Sequence, residues 1–327
     1  MQNLRAYVEQ SGGSYLFSTK LVGLEVEGQA LKALKLKNVK SGEESLLPVD
    51  AAVLAIGHSA RDTFEMLHRS GALMEARDFA VGVRIEHLAR EIGFAQYGKA
   101  YSLLPTADYQ LVSHAHERTV FTFCMCPGGV VIPAASEDGG VVVNGMSYRA
   151  RDGANSNSAL MVQMTKADFG ADDLFAGVRF QRDIERRAFA YGGGDYSAPC
   201  QLYGDFAKDR FSDSFGEIKP TYAAGTRFAP LDKILPDVAV GALKAAVPDM
   251  ARRLKGFDCS SAIMTGVETR FSSPVKILRD ADGQSVTIKN LYPCGEGSGY
   301  SGGITSSAAD GLAVAEKLYS RCQSGGF

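Results

Sequence analysis

The sequence predicts an α/β chain, α+β overall, in which an α/β layer is interrupted by a second unit of mixed architecture. Three observations carry this. A continuous apolar run, "AAVLAI" (Ala51–Ile56), suits a central strand buried on both faces of a mainly parallel sheet. Between about Phe79 and Cys259 the texture changes to short β-like runs separated by Gly, Asn and Asp turns. A glycine-rich loop then opens a closing helix, from about Ile304 to Tyr319. The boundaries that follow are 1–78 for the first part of the α/β layer, 79–262 for the inserted unit and 263–327 for the return.

Each element has its own signal. "MQNLRAYVEQ" reads as the end of a helix closed by Gly12 and Gly13, because Leu4, Tyr7 and Val8 share a face. "SYLFSTKLVGLEVEG", "ALKALKLKNVKSG" and "LLPVDAAVLAIG" predict a small strand meander that ends in the central strand. In "SARDTFEMLHRSG", Asp62 followed by Glu65 three residues on is a capping pattern for a short helix stopped at Gly71. Within the insert, "TVFTFCMC", "GVVIPAA" and "GGVVVNGMS" predict strands, Asp172 to Ala190 a helix, "YGGGDYSAPCQLYGD" a loop, and Leu231 to Leu254 helical segments broken at Pro248. "SAIMTGVETRF" and "SVTIKNLYPCGEG" predict the strands of the return.

Bulk properties exclude several function classes. A chain of 327 residues, 45% hydrophobic and 22% charged, suits about two globular domains. A net charge of −2 without a long Lys/Arg run lacks the footprint of a nucleic-acid binder. No signal-like start and no apolar run approaching about 18 residues is present, so a cytoplasmic protein without membrane spans is expected. Six irregularly spaced cysteines predict reduced thiols and no zinc site.

Gly297, Gly299 and Gly302 spell G-x-G-x-x-G in "LYPCGEGSGYSGGITSSAADGLAVAEKL". A dinucleotide fingerprint needs a following strand and an acidic residue about 20 positions on. Only "SRCQSGGF" follows the helix, so that reading fails. What survives is a backbone open to close approach and a helix N-terminus that favours negative charge.

"VLAIGHSARDTFEML", "GVRIEH", "FTFCMCPGGVVIPAASEDGGVVVNGMSYRARDGANSNSALMV", "GVETRFSSPVKILRD" and the glycine loop resemble, in this order and over nearly the whole chain, the bacterial FAD-dependent dehydrogenases called NAD(FAD)-utilising dehydrogenases. These are glutathione-reductase-like two-domain flavoproteins. The resemblance implies a partial, Rossmann-like FAD-binding domain interrupted by a substrate domain, and FAD-dependent hydride transfer on a small-molecule substrate. The family's N-terminal G-x-G-x-x-G unit has no counterpart here, so a C-terminal portion with an incomplete FAD site is expected. The alternative is a truncated, non-catalytic module that binds a ligand or partner without holding FAD alone. Homo-oligomer formation is compatible with either.

The resemblance places Gly295, Glu296, Gly297, Gly299, Gly302, Gly303 and Ile304 along the ribitol and isoalloxazine, with Glu296 accepting a ribitol hydroxyl. It places Gly57 and His58 where a strand end passes the adenosine part, Gly57 being there because a side chain would clash. Five loop glycines also fit a ligand-free turn, and His58 fits a polar turn residue. Cys124 and Cys126 fall on one face of an extended strand, as a redox pair or as small hydrophobes; C-x-C matches dithiol oxidoreductases poorly. Cys294 reads as packing beneath the glycine turn. Asn144, Ser147, Arg149, Arg151 and Asn155–Asn157 form a polar cluster that either orients a substrate or makes turns. Arg270 either nears the flavin ring or substrate or forms a surface pair with Glu268.

Overall fold

The computed structural model describes residues 2–170 and 173–325. Two compact units emerge, one of residues up to 75 together with those from 276 on, the other of residues 76–275.

The first unit opens with α1 (Gln2–Gln10), whose Leu4, Tyr7 and Val8 all face solvent. β1 (Thr19–Glu27), β2 (Ala30–Asn38) and β3 (Glu44–Pro48) form an antiparallel meander. Its inward stripe is Leu24, Leu31 and Ala33. β4 (Ala52–Leu54) is short and Val53 is 45% exposed. The expected central strand is therefore an edge-like one, because among the described residues its only ladder partner is the later strand Leu291–Pro293. α2 (Arg61–Arg69) follows, then β5 (Met74–Ala76). The capping box expected at α2 is absent. Asp62 lies inside the first turn rather than at the cap, accepts from the Thr63 amide at 2.8 Å and pairs with Lys20.

The second unit is built on a seven-stranded sheet. Its elements are β6 (Phe79–Leu88), α3 (Ala89–Tyr97), β7 (Val112–Ser113), β8 (Val120–Cys126), β9 (Gly129–Pro133), β10 (Val143–Ser147), β11 (Asn155–Met164), α4 (Lys166–Phe169), α5 (Ala176–Tyr191), β12 (Ala198–Leu202), α6 (Tyr203–Phe206), β13 (Thr226–Phe228), α7 (Asp237–Ala251) and β14 (Ile263–Phe271). The strand order is β13-β12-β14-β6-β11-β8-β7, antiparallel except for β12–β13. β6 and β11 pair over all ten residues and every residue of β6 is buried. Side-chain alternation sorts β6 cleanly. Val81, Val83 and Ile85 enter a core with Ile184 of α5 and Leu243 and Val247 of α7. Arg84 and Glu86 face the other way.

Several sequence expectations change here. α5 begins at Ala176, and Asp172 lies outside the described residues. α7 continues through Pro248 because the proline sits in its last turn, where losing one N–H does not stop the helix. The stretch taken as a loop after α5 contains β12. Ile263–Phe271, assigned above to the return, is β14 of the middle unit's sheet.

The return comprises β15 (Val275–Ile277), which pairs with β5, then β16 (Leu291–Pro293) parallel to β4, and α8 (Ile304–Gln323). β16 is shorter than expected because residues 285–290 form bends with isolated bridges at Ser285 and Lys289 rather than a continuous ladder. Of α8's side chains only Val314 is buried; Ile304, Leu312 and Tyr319 face solvent.

Candidate cofactor site

The parallel pairing of β4 with β16, Leu291 opposite Ala52 and Pro293 opposite Leu54, brings the carboxyl ends of both strands together. The chain therefore delivers Gly57–His58 and the loop 294–303 to one place, and the Cys294 amide continues the ladder to the Leu54 carbonyl at 3.0 Å. Contact is closest at Gly297: a Cβ there would stand 2.3 Å from the Gly57 carbonyl oxygen. The clash expected at Gly57 thus belongs to its partner. Gly57 itself has open space at its Cβ direction and is glycine because φ is +68°. His58 Nδ1 lies 3.1 Å from Glu296 Oε1, so two residues proposed separately for the cofactor form one pair.

The loop is anchored from below. Arg279 holds Asp310 of α8 with two hydrogen bonds, 2.6 and 3.0 Å, and donates to the Pro293 carbonyl at 2.9 Å. Asp310 accepts the Gly295 amide at 2.7 Å. The Arg279 guanidinium lies 3.7 Å over the Tyr300 ring, and the Tyr300 hydroxyl accepts the Arg279 amide at 3.0 Å. The Arg279 hydrogen bond holds the Asp310 carboxyl below the usual carboxylate range. Cys294 packs with Tyr292 and Val314 beneath the turn, and burial pushes its thiol pKa up. Gly295 and Gly297–Gly299 are buried, whereas Ser301–Gly303 are half-buried and Ile304 is exposed. α8 begins at Ile304 after Gly303, with no side-chain cap, leaving its first amides without a partner in the helix.

The residues nominated for substrate lie in the other unit and form no single group. Asn144 and Cys126 meet at Arg84, a fully buried guanidinium (0% exposed) at the centre of a polar layer. Arg84 bonds Glu268 at 2.5 and 3.1 Å, Asn144 at 2.7 Å, Asn157 at 3.1 Å and the Cys124 carbonyl at 2.7 Å. Burial opposes its charge, but the Glu268 carboxylate outweighs this and holds its pKa above the ordinary value. Cys126 donates to the Cys124 carbonyl at 3.2 Å, and burial pushes its thiol up, away from thiolate chemistry. Cys124 is exposed at φ +41°, where the β8–β11 register shifts, so the two side chains do not share one flat face. Asn155 and Asn157 lie within β11 rather than in a turn; Asn155 donates to Glu86 at 3.1 Å. Arg149 and Arg151 are exposed.

The expected surface pair of Glu268 with Arg270 does not form. Irregular register in β14 breaks the alternation, so Glu268 meets Arg84 while Thr269 and Arg270 both reach Glu185 of α5, at 2.7 and 2.8 Å. A cleft of about 480 Å³ lined by Arg90, Phe94, Tyr101 and Lys255 contains none of the nominated residues.

Sequence reasoning missed Arg279, Asp310 and Arg84. A charged residue inside the apolar run "FAVGVRI" was the available signal for Arg84. Nothing in sequence joins Arg279 to an aspartate 31 residues later.

The family described as "FAD-dependent protein, C-terminal domain-like" matches residues 78–271, close to the middle unit. An uncharacterized protein from Clostridium beijerinckii is 46% identical over 322 residues, covering 97% of this chain and 59% of that protein. The chain thus spans about six-tenths of its relative's length. A solved structure, pyridoxine 4-oxidase from Mesorbium loti, aligns with 92% of this chain and 57% of its own at 11% identity and a TM-score of 0.34, too low to support inference. No helix among the described residues is long and apolar enough to cross a membrane.

Proposed function

The chain belongs to the FAD-dependent protein family whose C-terminal-domain-like region matches residues 78–271, and from this premise we propose that it is part of an FAD-dependent oxidoreductase acting on a small molecule. The observation that carries the reading is the meeting of Gly57–His58 with the loop 294–303 at the carboxyl ends of two parallel strands, the place where open α/β sheets hold their ligands. The donor set fits the ring end of FAD. Glu296 would offer a polar partner to a ribitol hydroxyl, His58, expected at the adenosine part, is drawn to the same end by its contact with Glu296, and the first amides of α8 would suit the electron-rich edge of a flat ring. When bound, FAD supplies hydride acceptance and return.

The chain's own residues bind and orient. The uncapped start of α8 stabilises negative charge by about 0.3–1 kcal/mol where exposed and up to about 2 where partly buried. Glu296 fixes the tilt of His58 through their 3.1 Å contact. In this reading the middle unit supplies substrate contacts, with the exposed Arg149 and Arg151 offered to an anionic or hydroxylated substrate, while Asn144 stays with Arg84 and Arg270 with Glu185.

Two observations favour a narrower role for this chain alone. The chain covers 59% of its relative, and α8 leaves Leu312 and Tyr319 exposed, so part of the cofactor site is read as lying outside this sequence. The test is Gly303→Val in a form extended to the relative's length. Gly303 stands at φ 174°, extended backbone that valine adopts, so folding should survive. Flavin absorbance after desalting is expected to disappear; a variant that keeps flavin like its parent removes the loop from the cofactor site.

A further inference from the structure

We propose that Asp310 and Arg279 are positioning residues for the cofactor: a clamp that spends the first half of the glycine loop on the protein itself and sets the height of the Gly302–Ile304 amides. The inference rests on the flavin reading above and sharpens it, since it separates the loop's donors into those committed inward and those left for a ligand.

The geometry is a closed tie. Asp310 sits two turns into α8 and reaches back to the Gly295 amide at the mouth of the loop, 2.7 Å away. Arg279 fixes both oxygens of that carboxylate and also bonds the Pro293 carbonyl at the end of β16. Through the Tyr300 ring and hydroxyl, the same arginine holds the loop's sixth residue after Cys294. The Tyr300 amide in turn donates to the Gly295 carbonyl at 3.2 Å, closing the turn. Strand end, loop mouth, loop centre and helix are thus tied by one ion pair whose side chains are 15% and 12% exposed. Charge-assisted, bidentate bonds of this kind are both stronger and more directional than neutral ones.

Two consequences follow. The amides of Gly295, Gly299 and Tyr300 are already bonded within the protein and are not donors to a ligand, which leaves the amides of Gly302 to Ile304 as the expected backbone donors to the ring, beside the Glu296 side chain. The end of the loop is tied to α8 itself, the Gly303 carbonyl accepting from the Ser306 hydroxyl at 3.1 Å and the Ser307 amide at 2.9 Å, so the clamp, by fixing α8 to the end of β16, sets where the Gly302–Ile304 amides stand. A mispositioned donor is costly because backbone amides act on a ring edge only at hydrogen-bond distance.

The test uses Asp310→Ala, Asp310→Asn and Gly303→Val, made in this chain and in the extended form. In this chain, amide hydrogen exchange at Gly295 is expected to quicken about tenfold in Asp310→Ala. Asp310→Asn, whose side-chain oxygen still accepts the amide, is expected to recover most of the protection. In the extended form, FAD affinity is expected to fall about tenfold in Asp310→Ala, with a shifted flavin absorbance band, and to be largely rescued in Asp310→Asn. Unchanged Gly295 exchange in Asp310→Ala overturns the clamp. So does faster exchange with FAD affinity and spectrum like the parent, provided Gly303→Val has lost flavin. If Gly303→Val retains flavin, the cofactor reading itself fails and the proposal with it.

Discussion

His87 lies in β6 with its ring stacked on Phe257, centroids 5.0 Å apart, and its Nε2 donating to the Phe257 carbonyl at 2.8 Å. Only an N–H can bond a carbonyl, so the neutral ring carries its proton on Nε2. Burial lowers its pKa from 6.5 to about 4. The folded pKa is depressed, so between these values the unfolded chain binds a proton that the folded chain does not. Stability should therefore be fully present above about pH 6.5 and decline as pH falls toward 4, by about 3 kcal/mol from this group alone. Glu86 acts in the opposite sense: burial raises its pKa, against hydrogen bonds from Thr221 and Asn155. Its contribution is present below about 4.5 and is lost as pH rises through the folded value. Urea unfolding of the parent and of His87→Phe at pH 7, 5.5 and 4.5 separates them. The variant should show the shallower loss on acidification; equal slopes would assign the acid sensitivity to other groups.

At the scale of elements, the hairpin of β9 and β10 is the informative one, because it covers the polar face of the large sheet. Its approach depends on Gly145, where a Cβ would stand 2.4 Å from both Arg84 Nη1 and Asn157 Oδ1. Gly145→Ala should destabilise by about 1–3 kcal/mol through overpacking, whereas Met146→Ala at the neighbouring exposed site should change stability by less than about 0.5 kcal/mol. Chemical denaturation midpoints at constant slope read this; an unperturbed Gly145→Ala would mean that the hairpin floats over the layer rather than locking it. The same scale shows why some element boundaries were legible. α8 was found within a few residues because a glycine run followed by helix formers is a local signal, and the β1–β3 meander because strand alternation and turn residues are local too. α7 ran through Pro248 and α2 lacked its capping box because position within the helix, not the residue itself, decides what proline and aspartate do.

For the whole molecule, the expectation is that the chain purified alone keeps no stoichiometric flavin, while the form extended to the relative's length does. The motive is the exposed apolar surface of α8 together with a chain that spans 59% of its relative. Visible spectra after desalting decide it, and full flavin absorbance in the chain alone would overturn it. Sequence by itself determined the α/β class, the interruption by a second unit, the glycine loop before α8 and the resemblance to FAD-dependent proteins, because composition shifts, glycine punctuation and long quoted strings are local properties. Tertiary structure alone decided which charges meet. Arg84 with Glu268 and Arg279 with Asp310 are separated by 184 and 31 positions, and each pair forms because strand order and helix return carry distant residues to one point. Asn155 and Asn157 read as turn formers by composition, yet they occupy a central strand because buried charge on β6 needs hydrogen-bond partners from its neighbour. No residue carries such a pairing in its own identity; it arises only when burial makes an unpaired polar group too costly to leave alone.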